Sequence, residues 1–202
     1  MKPTRSRVWI LFLVVPLVLL AACGKAVSRR AVGETIDLSG RWNDTDSRLV
    51  AQAMIKDSLN FPWIDQFIAE KKKKPVVIAF GVKNRTSEHI NTQTFMKDLE
   101  RAFLLSGRVK IVASREQRGA IREERAEQQM GLTKNPTAIG KELGADFVLT
   151  GVLNSIKDRA EGKEVIFYQT NLELISVESN EKVWIGDHKI KKLVSRSKAK
   201  PF

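Results

Sequence analysis

Two histidines, one cysteine and no Gly-x-Ser-x-Gly elbow leave this chain little with which to catalyse a reaction. His89 and His188 have no Cys or His neighbours at ligand spacing, so neither a zinc centre nor any other metal or cofactor is expected. Gly140-Lys141 invites comparison with a phosphate-binding loop. That loop needs Gly at 135 and Ser or Thr at 142, where the chain has Asn135 and Glu142. A glycosidase needs two carboxyl groups, one to protonate the leaving group and one to attack or to activate water. Glu123, Glu124 and Glu127 supply carboxylates, but in a highly charged run that reads as the solvated face of a helix. By elimination the chain reads as a non-enzymatic binding domain with no catalytic residues. A glycan hydrolase stands as a third reading, resting on those three glutamates.

Cys23 is the side chain placed for covalent modification. Lys2, Arg5 and Arg7 precede an apolar run of 13 residues (8–20), which leads into Leu20-Ala21-Ala22-Cys23. Charge, a short apolar core and small residues at a cut site make a secretory signal. A membrane-spanning helix is the competing reading, but it needs about 20 apolar residues, and this run has Pro16 at its middle. Leu-Ala-Ala-Cys resembles the bacterial lipobox, in which the cysteine thiol receives diacylglycerol and the new amino terminus a third acyl chain. Cys23 is the single cysteine in 202 residues, so an intramolecular disulfide is excluded. Gly24 in place of Asp favours, by likeness to Gram-negative sorting, an outer-membrane anchor facing the periplasm.

Removing Lys2, Arg5 and Arg7 with a leader of residues 1–22 takes the formal net charge from +12 to +9. A basic domain suits anionic partners. Nucleic acid is not expected for an exported lipoprotein. Much of the charge is local, in Lys71–Lys74 and in a basic C-terminal stretch with Lys189, Lys191, Lys192, Arg196, Lys198 and Lys200. That tail suits anionic lipid head groups; a solvated end is the plainer reading.

The elements follow from periodicity. Residues 23–40 read as a lipidated N-terminus and short tether, 41–192 as one globular domain, and 193–202 as a basic tail. Asn43 or Asp44 caps a helix to about Leu59, with Leu49, Val50, Ala53, Met54 and Leu59 on its inner face. A second short helix spans 61–70. Residues 76–82 (VVIAFGV) are a buried strand. Asn91 caps a helix carrying Phe95, Leu99, Ala102 and Phe103 on one face, Gly107 stops it, and 108–112 form a second strand. Strand, crossover helix and strand suggest a βαβ unit. Ser114-x-x-Gln117 opens an exposed charged helix to about Gln129. Asn135-Pro136 starts a short helix to Leu143, and 146–153 are a third strand. Residues 165–177 and 182–190 make a long hairpin, with Ile166, Tyr168, Leu172 and Leu174 on one face. The fold class is α+β mixed: a single small domain, with a mixed sheet of about four to five strands flanked by helices and ending in a long hairpin.

Four segments in this order resemble the LpoB family of penicillin-binding protein activators. They are Ser39-Gly40-Arg41-Trp42-Asn43-Asp44-Thr45-Asp46, Val82-Lys83-Asn84-Arg85-Thr86, Leu143-Gly144-Ala145-Asp146-Phe147-Val148-Leu149, and a hairpin from Leu172-x-Leu174 to Glu181-Lys182-Val183-Trp184. The resemblance implies a small mixed sheet flanked by helices. It also implies docking onto a class A penicillin-binding protein, whose glycosyltransferase and transpeptidase output rises. The tether departs from some family members, which have a long Pro-rich linker; here about 17 residues extend to at most about 55–60 Å.

Asn84, Arg85, Thr86 and Trp42 are the candidate partner contacts. Arg85 suits carboxylates. Asn84 and Thr86 equally suit a structural turn, and Trp42 equally suits packing on the first helix. Asn84-Arg85-Thr86 also matches a glycosylation sequon, which carries little meaning in a bacterium. The alternative to the activator is a structural or secretion-associated lipoprotein related to the curli secretion lipoprotein. That reading expects long amphipathic strands, and only 165–177 approaches the required length.

Overall fold

A computed structural model of the chain describes residues 28–136 and 141–195. The apolar run at 8–20, Cys23, and the tail beyond 195 lie outside the described residues. The chain divides into an N-terminal unit, Met1–Glu34, and a second unit, Thr35–Phe202, which holds every element below.

Helix α1 spans Asp44–Asn60. Asn43 caps it: its side chain accepts from Asp46 N–H while Asp46 accepts from Asn43 N–H, a reciprocal box that satisfies two orphan donors. Its buried ridge runs through Asp46, Val50, Met54 and Ser58 at successive fourth positions, with Ala51 beside it. Leu49, expected inside, is 40% exposed. The sheet presses on the ridge one residue along, and Asp46 is kept there by a lysine described below. Helix α2 spans Trp63–Lys71 and ends at Lys72, whose φ of 55° breaks the helical path. Trp63 sits edge-on between Phe103 and Phe147, at centroid distances of 6.5 and 5.3 Å.

Strand β1 spans Val76–Asn84. It lies inside the sheet, between two parallel neighbours, which accounts for its unbroken apolar run. Helix α3 spans Gln93–Ser106 and buries Phe95, Met96, Leu99 and Phe103. Thr92 rather than Asn91 is its N-cap, and Asn91 Oδ1 accepts from Gln93 N–H two residues on. Gly107, at φ 65°, ends the helix in a conformation that side chains disfavour. Strand β2 is Lys110–Ile111, shorter than the expected 108–112. Arg108 is drawn away to the Leu59 carbonyl and the Asp65 carboxylate. The β1–α3–β2 unit is parallel, as its spacing implied.

Helix α4, Arg115–Gln129, has the Ser114–Gln117 capping box and buries no residue. The helix expected from Pro136 to Leu143 is not formed at 141–143, which are irregular; 137–140 lie outside the described residues. Glu142 instead turns back to the guanidiniums of Arg122 (2.8 Å) and Arg125 (3.3 Å) on α4.

Strands β3 (Phe147–Ala160), β4 (Lys163–Ser176) and β5 (Lys182–Ser195) complete a five-stranded sheet of order β2-β1-β3-β4-β5. β3 pairs with β1 in parallel and with β4 antiparallel, and β4 pairs antiparallel with β5. β3 was expected to stop at Leu153. It runs seven residues further because Asn154 to Ala160 find backbone partners on β4, a pairing that polar side chains do not announce. β5 likewise continues past Ile190. All three strands have 14 residues, longer than the secretion reading had credited, so length alone does not distinguish that reading. Their inner faces are taken up by the core: Ile166, Tyr168, Leu172 and Leu174 of β4 are buried with α1, α2 and α3. Among the described residues no helix is long and apolar enough to cross a membrane.

Leu99 is fully buried and half-exposed Leu49 is not. Leu99→Ala should therefore cost about 2–5 kcal/mol and Leu49→Ala within about 0.5 kcal/mol, read from urea unfolding midpoints. Equal losses would refute the assigned face of α1.

Candidate functional site

Asn84 and Thr86 close the turn that follows β1. Thr86 N–H donates to Asn84 Oδ1 (2.9 Å), and Asn84 Nδ2 donates to the Glu88 carbonyl (2.7 Å). Glu88 N–H in turn donates to Thr86 Oγ1 (3.1 Å). Arg85 N–H continues the ladder onto the Leu153 carbonyl at 2.8 Å. The Arg85 residue is exposed, and its guanidinium makes no hydrogen bond or ion pair among the described residues.

The turn presents Glu88, which the sequence reading had passed over. Its side chain is 10% exposed. Oε1 accepts from Tyr168 Oη (2.7 Å) on β4 and pairs with Lys157 Nζ (2.9 Å) on β3. Oε2 accepts from Trp42 N–H (3.1 Å). Trp42 therefore meets the Asn84–Thr86 turn through Glu88. Its ring stands edge-on to Tyr168 at 5.4 Å, and its indole N–H donates to Ser47 Oγ at 2.8 Å on α1. Burial pushes the Glu88 carboxyl up, but its bonds from Lys157, Tyr168 and Trp42 N–H outweigh this and hold it below the usual glutamate range. Burial, and then the Glu88 carboxylate, push the Tyr168 phenol well above its ordinary value.

A second buried pair lies beside it. Lys192 Nζ contacts Asp46 Oδ2 (2.7 Å), Asp37 Oδ1 (2.9 Å) and the Arg41 carbonyl (3.1 Å), with 12% of its side chain exposed. Burial pushes its ammonium down, and the two aspartates more than reverse that, leaving it raised. The sequence reading had placed Lys192 in a solvated basic stretch. Its signal was register: Lys192 shares a face of β5 with Trp184, Gly186 and Ile190, an inward position for a charge. Residues 37–42, of which 37–40 read from sequence as the end of the tether, lie as a strap over β4 and β5. A Cβ on Gly40 would overlap the Val194 side chain, so another residue there would require that side chain to move.

This arrangement fixes backbone and holds charge. Among the described residues no cluster of three or more His, Cys, Asp or Glu is placed to hold a metal ion. Trp42, Asn84 and Thr86 have their polar groups engaged within the fold, while Arg85 presents its charge to solvent.

A family model described as peptidoglycan-synthase activator LpoB matches residues 46–190. No curated protein matches the chain. Among solved structures, it is similar to the LpoB C-terminal domain from Escherichia coli, at 19% identity and a TM-score of 0.39 over 70% of this chain and 98% of that one. The corresponding Salmonella enterica domain gives 18% identity and a TM-score of 0.34, over 72% and 97%. Lipoprotein GNA1162 from Neisseria meningitidis gives 16% and 0.38, over 62% and 88%.

Glu88 titrates below its unfolded value near 4.5. A depressed carboxylate contributes stability that is present above the unfolded value and is lost as pH falls through the folded one. Glu88→Gln should therefore cost about 1–3 kcal/mol at pH 7 and flatten the loss of stability below about pH 4.5. Urea midpoints measured from pH 7 to pH 3 test this; an unchanged acid slope would show that Glu88 is not held charged.

Proposed function

Because the chain belongs to the LpoB family of peptidoglycan-synthase activators, we propose that it binds a class A penicillin-binding protein and raises its glycan-polymerising and cross-linking output. The observation that carries this is the span of the family match. Residues 46–190 run from the first turn of α1 to within five residues of the end of β5, so the likeness covers the folded domain and not one motif.

An activator of this kind needs no chemistry of its own. It acts by binding the productive conformation of the synthase better than the resting one, and its effect is bounded by that difference in affinity. Tenfold preference corresponds to about 1.4 kcal/mol. A rigid surface serves this better than a mobile one, since less entropy is lost on binding.

On this reading Cys23 is lipidated and holds the domain at the periplasmic face of the outer membrane. With Asp37 held against β5, roughly 13 residues separate the strap from the lipid, a reach of about 45 Å fully extended. Of the four candidate contacts, Arg85 is the one with a free charged head, and it would meet a partner carboxylate. Trp42, Asn84 and Thr86 position the loop beneath it.

The test is glycan polymerisation by a purified class A synthase, with and without the full-length lipoprotein in detergent. Stimulation with measurable binding is expected. Absence of both binding and stimulation would overturn the proposal. Arg85→Glu should weaken binding about tenfold with an unchanged melting temperature. Unaltered binding would remove Arg85 from the interface without touching the activator reading.

A further inference from the structure

At the end of the sheet opposite the Glu88 cluster, α2 and the β4–β5 turn flank an open groove of about 530 Å³. Its floor is apolar, made by Phe67, Phe147 and Val183, with Val177 half-exposed at the mouth. The rim has the opposite character from the rest of the protein. Glu70, Asp146, Glu178 and Glu181 line it, against Lys71 at the mouth and Lys73, whose Nζ lies 2.8 Å from Asp146 and 5.7 Å from the centre of the Phe67 ring, in a chain of formal net charge +12. Carboxylates gathered at the lip of an apolar cleft focus a negative field into it.

Lys71 bridges the mouth. Its Nζ lies 3.2 Å from Glu70 on the same helix and 3.2 Å from Glu178 on the turn. Both carboxylates are largely exposed, and such pairs contribute little in water. A cation held in a better geometry can therefore take Lys71's place.

The basic stretch at residues 196–202 does not reach the groove. It begins after Ser195, at the far end of β5, about 40 Å along the strand from Val183. Residues 196–202 reach at most about 25 Å. The strap over β5, where the chain leads back toward Cys23, is also remote, about 30 Å from the groove along the strand.

We propose that this groove docks a cationic, apolar segment of the partner protein. A Lys or Arg of that segment replaces Lys71 against Glu178, and a neighbouring apolar side chain rests on Phe67 and Val183. The identity of the partner as a synthase rests on the activator reading; the chemistry of the segment does not.

The experiment measures the affinity of the full-length lipoprotein in detergent for the purified synthase, at two salt concentrations. The double change Glu178→Lys, Glu181→Lys should weaken binding at least tenfold and reduce its salt dependence. Lys71→Gln should strengthen it two- to fivefold, a gain that a merely structural lysine would not give. Both variants lie at exposed positions and should melt as the wild type does. If the wild type binds and the charge-reversed variant binds equally well, the groove is not the docking site and the activator reading stands. If the wild type does not bind the synthase, the activator reading fails. A fluorescent Lys-Leu-Arg-Phe peptide then decides the groove, with binding lost on charge reversal supporting it and no binding overturning it. Self-association of the lipoprotein that charge reversal abolishes would give the groove to a second copy and overturn the partner assignment.

Discussion

A carboxylate nine-tenths removed from water has to be satisfied by the protein around it, and Glu88 is satisfied from four directions. Lys157 comes from β3, Tyr168 from β4, the Trp42 amide from the strap, and the Asn84–Thr86 turn holds the backbone of Glu88 itself. None of these segments can shift alone without leaving a buried charge or donor unpaired, which costs more than an ordinary hydrogen bond is worth. Lys192 repeats the principle a few residues away. It joins β5 to the first turn of α1 through Asp46 and to the strap through Asp37. Asp46 also completes the capping box of α1. One carboxylate therefore starts a helix and docks it on the sheet.

These pairs give the domain two unlike ends. One is closed by charge and hydrogen bonds, with the strap packed so tightly that a Cβ at position 40 would meet the Val194 side chain. The other rests on aromatic edges among Trp63, Phe67, Phe103 and Phe147 and stays open between α2 and the hairpin turn. For a protein of a family that regulates another enzyme, such a division has a physical use. At the closed end Glu88 and Lys192 are taken up within the fold and Arg85 alone of the candidate contacts turns its charge to solvent, while the open end has apolar surface within reach of solvent.

Local rules that act within a few residues were legible before any coordinates. Asn43 and Ser114 as caps, Gly107 as a stop, and the inward face of β4 at Ile166, Tyr168, Leu172 and Leu174 all depend on nearby backbone geometry. Expectations failed where a distant group decided. Leu49 looked apolar enough to be inside, but the sheet meets α1 along the Asp46–Val50–Met54 ridge. Residues 154–160 have no strand pattern of their own and become strand because β4 lies alongside. Glu142 answers to two arginines on α4.

The sequence by itself carried the α+β class, most of the elements in their order, a lipobox-like Leu20-Ala21-Ala22-Cys23 stretch, and a likeness to the activator family. Each of those is written in spacing and composition. Only the tertiary structure decided that Trp42 and the Asn84–Thr86 turn share a carboxylate, that Lys192 lies inside, and that acid collects around a groove in a basic protein. Charges are attracted by whatever lies within a few ångströms in space. Glu88 and Lys157, or Asp46 and Lys192, become neighbours only once the strands that carry the lysines have been brought beside the loop and the helix.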